Sequence, residues 1–208
     1  TGTNKLESNR IRVDYSAESK SNPANGENIT ITNNAGISDT VQVTDLTEGD
    51  VVKVYDSAAG GKLLGSATVP AYGSYAVVTI SQLGTSVGSV YVSITSINKI
   101  ESNRIKIDYS AETTSDAVAN DNIIITNNAG ASDTVQIVGL NIGDQVKVYD
   151  SPRGGTLLGS ATVTGGTTAT ISITQLGSTA GSVYVSITIK NKLESERIKA
   201  DYPAESKS

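Results

Sequence analysis

Apolar and polar residues alternate with a period of two along most of the chain, and no stretch of useful length shows the spacing of an amphipathic helix. In residues 39–43 the alternation puts Val41 and Val43 on one face, and in residues 89–95 it does the same for Val92 and Ile94. Runs rich in Asn, Gly and Ser, which favour turns, separate these segments. The pattern predicts short β-strands joined by turns.

Seven such runs occur in each half of the chain, in the same order. Seven short strands with turns between them are typical of an antiparallel sandwich of the immunoglobulin type, which has roughly 100 residues. The predicted fold class is therefore all-β, with two tandem immunoglobulin-like sandwich modules. In module 1 we expect six residues to be buried: Val41, Val43, Val92, Ile94, Ile105 and Ile107.

One block of the sequence occurs three times, whereas everything between its copies occurs only twice. The copies span residues 4–18, 98–112 and 191–205. The block either opens a module as its first strand or closes it as its last strand. We prefer closure, because the loop before it is short and sequential strands usually pair. The predicted modules then span 19–111 and 112–208, and residues 1–18 are the closing strand of a preceding module.

The first copy of the block has no module of its own under this interpretation. Its apolar face consists of Ile11, Val13 and Tyr15, and Arg10 precedes it. We predict that residues 10–15 are an assembly strand that docks on a sheet edge of a neighbouring chain, because sheet edges offer unpaired backbone groups. Such a head-to-tail contact builds a fibre or lattice. The alternative is that the strand pairs within its own first module and leaves the chain monomeric.

Composition excludes several function classes. Cys and His are both 0, so no disulfide, thiolate nucleophile or imidazole base is available, and we predict that the protein is not an enzyme and needs no cofactor. The net charge of -5 disfavours nucleic acid and anionic membranes as partners. No apolar run approaches the roughly 18 residues that cross a bilayer. Because the chain begins with Thr1, we interpret it as an excised or processed segment, so the lack of a targeting signal says little.

Carboxylates at the module junction are the main candidates for a metal site. Asp108, Glu112 and Glu101 recur with the block, and Ca²⁺ collects six to eight oxygen ligands from flexible segments. We predict calcium as the candidate ion there. The alternative is that Asp108 lies on a solvated strand face and Glu112 solvates a linker.

A second acidic group lies in one loop of module 1. It comprises Asp45, Glu48 and Asp50, of which only Asp50 has an acidic counterpart in the second half, Asp144. Because the cluster is not repeated, a solvated turn is the favoured interpretation.

Three further residue types, Lys, Arg and Tyr, have interpretations of their own. Lys53 raises the idea of a Lys–Asn isopeptide crosslink, but a lysine on the wet face of a strand is favoured because there is no Phe or Trp for an aromatic-rich core. Arg104 is expected to form a surface pair with a nearby Glu. Tyr91 and Tyr184 would either stack on sugars or serve as cross-strand neighbours, and the second is favoured.

Several motifs carry a resemblance to a known family. They are Gly-Asp-Val-Val-Lys-Val-Tyr-Asp at 49–56, Leu-Gly-Ser at 64–66, Gly-Ser-Val-Tyr-Val-Ser at 88–93 and Glu-Ser at 101–102. The chain resembles the tandem bacterial immunoglobulin-like repeats of Gram-positive cell-surface and S-layer-type proteins. The resemblance implies an extracellular spacer, stalk, fibre or lattice role. An adhesin-type module that contacts carbohydrate, cell wall or host protein is the alternative.

Overall fold

The computed structural model describes residues 8–205 and contains, within them, fourteen β-strands in two groups of seven. Its helical segments are two 3-10 turns, Gly26–Asn28 and Asn120–Asn122, and none of the described helices is long and apolar enough to cross a membrane. In module 1 the strands are β1 (Ile29–Thr32), β2 (Asp39–Thr44), β3 (Val51–Tyr55), β4 (Leu63–Thr68), β5 (Tyr75–Ile80), β6 (Gly88–Thr95) and β7 (Ile105–Tyr109). In module 2 they are β8 (Ile123–Thr126), β9 (Asp133–Val138), β10 (Gln145–Tyr149), β11 (Leu157–Thr162), β12 (Thr168–Ile173), β13 (Gly181–Thr188) and β14 (Ile198–Tyr202).

Each module has one three-stranded and one four-stranded sheet. In module 1 the orders are β1-β2-β5 and β4-β3-β6-β7, and module 2 repeats them as β8-β9-β12 and β11-β10-β13-β14. The chain therefore changes sheet after β2, after β4 and after β5. The two-sheet antiparallel architecture is that of immunoglobulin-like sandwiches, but β4 pairs with β3, whereas the fourth strand of the constant-type arrangement joins the sheet of strands one, two and five. The predicted fold class, all-β with two immunoglobulin-like sandwich modules, is confirmed.

The recurring block forms the last strand of each group. β14 pairs antiparallel with β13, and this register places Tyr202 opposite Gly181 and Ile198 opposite Val185. The strand order puts β7 next to β6 in the same way. The module bounds 19–111 and 112–208, and the assignment of 1–18 to a preceding module, stay predictions.

The core lies between the two sheets and consists mainly of Val and Ile. Val41, Val43, Val92 and Ile94 are buried, as predicted. The core of module 2 is a single cluster that combines strands of both sheets: it contains Val135 and Ile137 of β9, Val146 and Val148 of β10, Ile171 and Ile173 of β12, Val183, Val185 and Ile187 of β13, and Ala200 of β14.

The prediction that Ile105 and Ile107 are buried is wrong in degree. Both side chains are only half-buried, although they share the inner face and alternate with the exposed Lys106 and Asp108. The reason is that β7 is the edge of its sheet and has one neighbouring strand, so part of each side chain stays uncovered. The register itself agrees with the sequence pattern.

In each module, the short segment before the 3-10 turn pairs with the loop that leads into the closing strand. Lys20 forms an isolated parallel bridge with Ile100, and Thr114 forms the same bridge with Leu193. The buried Ser21 hydroxyl donates to the Ile100 carbonyl at 2.9 Å and accepts from the Ser96 N–H at 2.8 Å. This fixes the loop that leads into the closing strand.

The first copy of the block behaves differently, as far as the structure describes it. Residues 8–18 form no strand and pair with no sheet of the described chain. Ile11, Val13 and Tyr15 are 87%, 80% and 94% exposed. The alternative in which this strand pairs within its own first module is therefore not what the structure shows. Docking on a neighbouring chain stays a prediction.

Two adjacent residues of β5 test the register. Val78 is fully buried and Val77 is 42% exposed, so Val78→Ala should lower the free energy of unfolding by about 2 kcal/mol. Val77→Ala should lower it by less than about 1 kcal/mol, since it removes only strand propensity. Urea denaturation of both variants measures the difference. Equal or reversed losses would mean that β5 is shifted by one residue.

Candidate functional site

The main polar cluster of module 1 lies on the outer face of its four-stranded sheet and is centred on Glu101. The Glu101 Oε2 accepts a hydrogen bond from the Lys53 ammonium at 2.7 Å. Its Oε1 accepts from the Tyr55 hydroxyl at 2.9 Å and from the Ser93 hydroxyl at 2.6 Å. One carboxylate of the recurring block thus joins two neighbouring strands, β3 and β6.

Alternation along the strands explains why these residues meet. Lys53 and Tyr55 lie on the face of β3 opposite the buried Val52 and Val54. Lys53 is also the register partner of Ser93 on β6. Ser93 is nevertheless fully buried, because the loop that carries Glu101 folds over it.

Arg104, three residues after Glu101, completes the cluster. Its guanidinium carbon lies 3.2 Å from the centroid of the Tyr55 ring. Its Nη1 donates to the carbonyls of Ser57 and Gly60, both at 2.7 Å. The expected pairing of Arg104 with a glutamate is therefore replaced by stacking on an aromatic ring and bonds to turn carbonyls, a geometry that suits the planar guanidinium.

Module 2 repeats the cluster almost atom for atom. The Glu194 carboxylate accepts from Lys147 at 2.7 Å, from Tyr149 at 3.1 Å and from Ser186 at 2.5 Å. Arg197 stacks on Tyr149 at 3.3 Å. A cluster kept in both modules and built around the closing block has a structural role in each module.

The lysine of this cluster has an ionic partner. Lys53 contacts the carboxylate of Glu101, and its side chain is 33% exposed. The Lys–Asn crosslink that the sequence raised finds no support in this contact, because the group that Lys53 meets is a carboxylate and not a carboxamide.

Both partners of the ion pair are held in their charged forms. Burial raises the pKa of Glu101, but hydrogen bonds from Lys53, Ser93 and Tyr55 outweigh it and lower the pKa to about 2. The pKa of Glu194 is also lowered, against burial, by Lys147, Ser186 and Tyr149. The hydrogen bond to Glu101 raises the pKa of Lys53 above its ordinary value. The pair is therefore ionised across neutral pH.

The rest of the block fastens the closing strand along its length. The Ser102 hydroxyl accepts from the Ile94 N–H at 3.0 Å. The Ser89 hydroxyl donates to the Asp108 carboxylate at 2.6 Å. The Tyr109 ring lies against Gly88, where any Cβ would overlap it. Gly181 and Tyr202 repeat this close approach in module 2.

The carboxylates predicted to share a calcium ion have separate partners. Glu101 pairs with Lys53, and Asp108 accepts from Ser89. Glu112 is buried and accepts from the Gln82 side-chain amide at 2.6 Å. Residues 8–205 contain no group of three acidic, His or Cys side chains placed to hold a metal ion. The structure does not bring the three predicted ligands together.

The acidic loop of module 1 is a hydrogen-bonded turn. Asp50 is buried and accepts from the Thr47 N–H at 2.9 Å, and Asp144 accepts from the Asn141 N–H at 2.8 Å. The description of a solvated turn is thus wrong for Asp50. Its carboxylate caps the loop backbone, which explains why it alone of the three acidic residues has an acidic counterpart.

Sequence reasoning missed another pair of buried carboxylates. Asp39 is fully buried and accepts from the backbone N–H groups of Asn34 and Leu83 at 2.7 and 2.5 Å. Asp133 does the same in module 2. The available signal was an Asp that recurs before the Thr-Val of β2 and β9.

The exposed-tyrosine candidates are less distinctive than the polar cluster. Tyr91 is half-buried and lies opposite Tyr55 in the register of β3 and β6. Tyr184 is likewise opposite Tyr149. This arrangement agrees with the favoured interpretation, a cross-strand neighbour.

Comparisons with known proteins identify no family for this chain. No protein-family model matches the chain, and no curated protein matches it either. The chain is similar to a solved structure described as a biofilm-associated protein BSP domain, with 18% identity over 86% of this chain and a TM-score of 0.33; it spans 30% of that chain. It is also similar to the human OSCAR ligand-binding domain, with 11% identity over 86% of this chain and 96% of that chain, and a TM-score of 0.33. The chicken CNTN1 FN1-FN3 domains show 11% identity over 91% of this chain and 69% of that chain, and a TM-score of 0.35.

The ion pair predicts a pH dependence. The pKa of Glu101 is about 2 in the folded protein and 4.5 ordinarily, so its stabilisation is complete above about pH 4.5 and is lost as pH falls through about 2. Because the carboxylate is partly exposed, we expect Glu101→Gln to lower the free energy of unfolding by about 1–2 kcal/mol at pH 7.

Denaturation of the wild type and Glu101→Gln between pH 2 and 7 measures this effect. The difference between the two proteins should shrink as pH falls and vanish near pH 2. The exposed Glu196→Gln serves as a control and should change stability by less than about 0.5 kcal/mol. A difference that is independent of pH would contradict the assigned role of the charge.

Proposed function

We propose that this chain is a non-enzymatic structural repeat segment of an extracellular protein, such as an S-layer, stalk or fibre subunit. It assembles through strand-edge and module-junction contacts. The observation that carries the proposal is the exposed first copy of the block. Its Ile11, Val13 and Tyr15 lie in solvent, whereas the other two copies are strands on a sheet.

The use of polar groups supports a structural role. The oxygens of Glu101 accept three side-chain hydrogen bonds from within their own module, and Glu194 repeats the arrangement. A carboxylate held in this way is not placed to act on a substrate. Each module has a core of mainly Val and Ile and no disulfide, and these hydrogen bonds hold its closing strand in place.

Assembly through a strand also follows from the exposed edges. Each described four-stranded sheet ends in β4 or β11 on one side and in β7 or β14 on the other. Edge strands carry unpaired backbone groups that accept an additional strand. A strand at one end of a chain that binds a sheet of the next makes a heterologous contact, which repeats without closing. A surface fibre or lattice is built by such contacts.

An adhesin-type binding role is the second candidate, and one residue favours it. Tyr72 is fully exposed at a loop tip and has a φ of 60°, a conformation that is strained for an aromatic residue. The Glu48 carboxylate accepts its backbone N–H at 3.0 Å. An aromatic ring presented in this way suits stacking on a sugar or a protein surface.

Deletion of residues 1–18 tests the assembly role. The full chain should show concentration-dependent association in light scattering, and the deleted chain should stay monomeric, because the exposed apolar strand has been removed. The full-length variant Ile11→Asp, Val13→Asp keeps the length of the chain and removes only the apolar face of the strand. It should also be monomeric. If association is unchanged in both, the assembly proposal is wrong.

The adhesin role has a separate measurement. Binding of the full chain to a glycan array should depend on Tyr72, so Tyr72→Ala should abolish any signal. Tyr75→Ala is the matched control, since Tyr75 is half-exposed on a strand. A signal that survives Tyr72→Ala would contradict a role for this residue in sugar binding.

A further inference from the structure

The contacts that hold a closing strand are made by a small set of side chains, and the first copy carries the same types at the same spacing. For β7 the contacts come from Ser102 and Arg104 just before the strand and from Asp108 and Tyr109 within it. For β14 they come from Ser195 and Arg197 before the strand and from Asp201 and Tyr202 within it. The corresponding residues of the first copy are Ser8, Arg10, Asp14 and Tyr15, with Ile11 and Val13 on the inner face.

The first copy cannot close the module that follows it. If it replaced β7, Tyr15 would lie beside Gly88, while Ser21 stays bonded to Ser96. The six residues from Tyr15 to Ser21 span at most about 21 Å. Gly88 and Ser96 are eight residues apart along β6, or about 27 Å. The chain is too short for this closure in its own module 1.

We infer that residues 8–18 are the closing strand for a second module of this same repeat type, where they take the position beside the β6-type strand that β7 and β14 occupy here. In a second copy of this chain that position opens when the copy's own closing strand is displaced. This inference rests on the proposed assembly role and identifies what the assembly strand binds. The acceptor supplies a Tyr ring for Arg10, a Ser hydroxyl for Asp14 and a bare Gly backbone for Tyr15. Main-chain pairing along the open edge adds the remaining bonds.

The two modules of the chain show how an acceptor selects its strand by size. In module 1, a Cβ on Gly26 would lie 3.4 Å from the Ile107 side chain. In module 2 the corresponding pair is Asn120 and Ala200, and the 3-10 turn that contains Asn120 contacts β14. A larger turn residue therefore accompanies a smaller strand residue.

A second pair of positions follows the same rule. Ala24 of module 1 is replaced by Val118 in module 2, and both are buried. Val118 and Ala200 belong to the same core cluster. Module 1 thus combines small residues before β1 with Ile107, and module 2 combines larger ones with Ala200. Placing a bulkier strand residue in module 2 would overfill a packed core.

The first copy has Val13 at this position. Valine is one carbon smaller than Ile107 and two carbons larger than Ala200. The preferred acceptor therefore resembles module 1, with small residues at the positions of Ala24 and Gly26. In a chain with three nearly identical closing strands, such size matching also limits exchange between modules.

The test uses the full chain with its own closing strand disabled. The opened chain carries Ile105→Asp, Ile107→Asp and Tyr109→Asp. Its first copy is silenced by Ile11→Asp and Val13→Asp, and the probe is a synthetic peptide of residues 4–18. The peptide should bind the opened module and restore the cooperative thermal transition of module 1. If the three substitutions unfold module 1, the readout is the return of its thermal transition on adding the peptide. If module 1 stays folded, the readout is peptide binding measured by calorimetry.

Matched variants give the controls. A peptide with Ile11→Asp should neither bind nor restore the transition. A chain opened instead in module 2, by Ile198→Asp, Ala200→Asp and Tyr202→Asp, should bind the wild-type peptide about tenfold more weakly, which is about 1.4 kcal/mol. A peptide with Val13→Ala should reverse this preference. Equal binding of both peptides to both modules would overturn the size rule.

The peptide assay is independent of self-association by the wild-type chain. If residues 1–18 are needed for wild-type association but the peptide does not bind either opened module, the first copy docks on another edge and this inference alone is wrong. If the peptide restores an opened module but the wild-type chain never associates, the acceptor of the strand is correctly identified and self-association of this chain is what is wrong.

Discussion

The structure depends on one carboxylate in each module. Glu101 accepts hydrogen bonds from Lys53, Tyr55 and Ser93 on two adjacent strands. The chain has no disulfide and a core of mostly Val and Ile, so hydrophobic burial alone says little about the register in which a closing strand attaches. A charged group that satisfies three partners at once favours one arrangement of the closing block. Any other arrangement of the block would leave Lys53, Tyr55 and Ser93 without this hydrogen-bond acceptor, which is costly for partly or fully buried polar groups.

Arg104 extends this constraint from the sheet to the β3–β4 turn. It stacks on Tyr55, which also donates to Glu101, and it bonds to two carbonyls of the turn. The Glu-Ser-x-Arg motif of the block is therefore an attachment device, and the strand after it is the part that fills the core. This explains why the block recurs with each module.

The same device makes the first copy of the block informative. A sequence that can make every contact of a closing strand exposes its apolar face in this structure. Repeats that share nearly identical strands risk pairing with the wrong module. The compensating pairs Gly26–Ile107 and Asn120–Ala200 indicate that core volume, and not the shared polar contacts, separates correct from incorrect pairing.

The sequence by itself determined the fold class, the strand positions and the inner faces, because a period of two can be read without knowing which strands meet. It also showed that the block occurs three times. Which side chains meet was decided only by tertiary structure. Glu101 lies 48 residues from Lys53 in sequence, and no local pattern links them, so the sequence placed Glu101 in a calcium site instead. Burial of Asp39 and partial exposure of Ile107 depended likewise on which loop or edge covers each residue. These contacts arise from long-range packing, and a periodic pattern in the sequence contains no information about them.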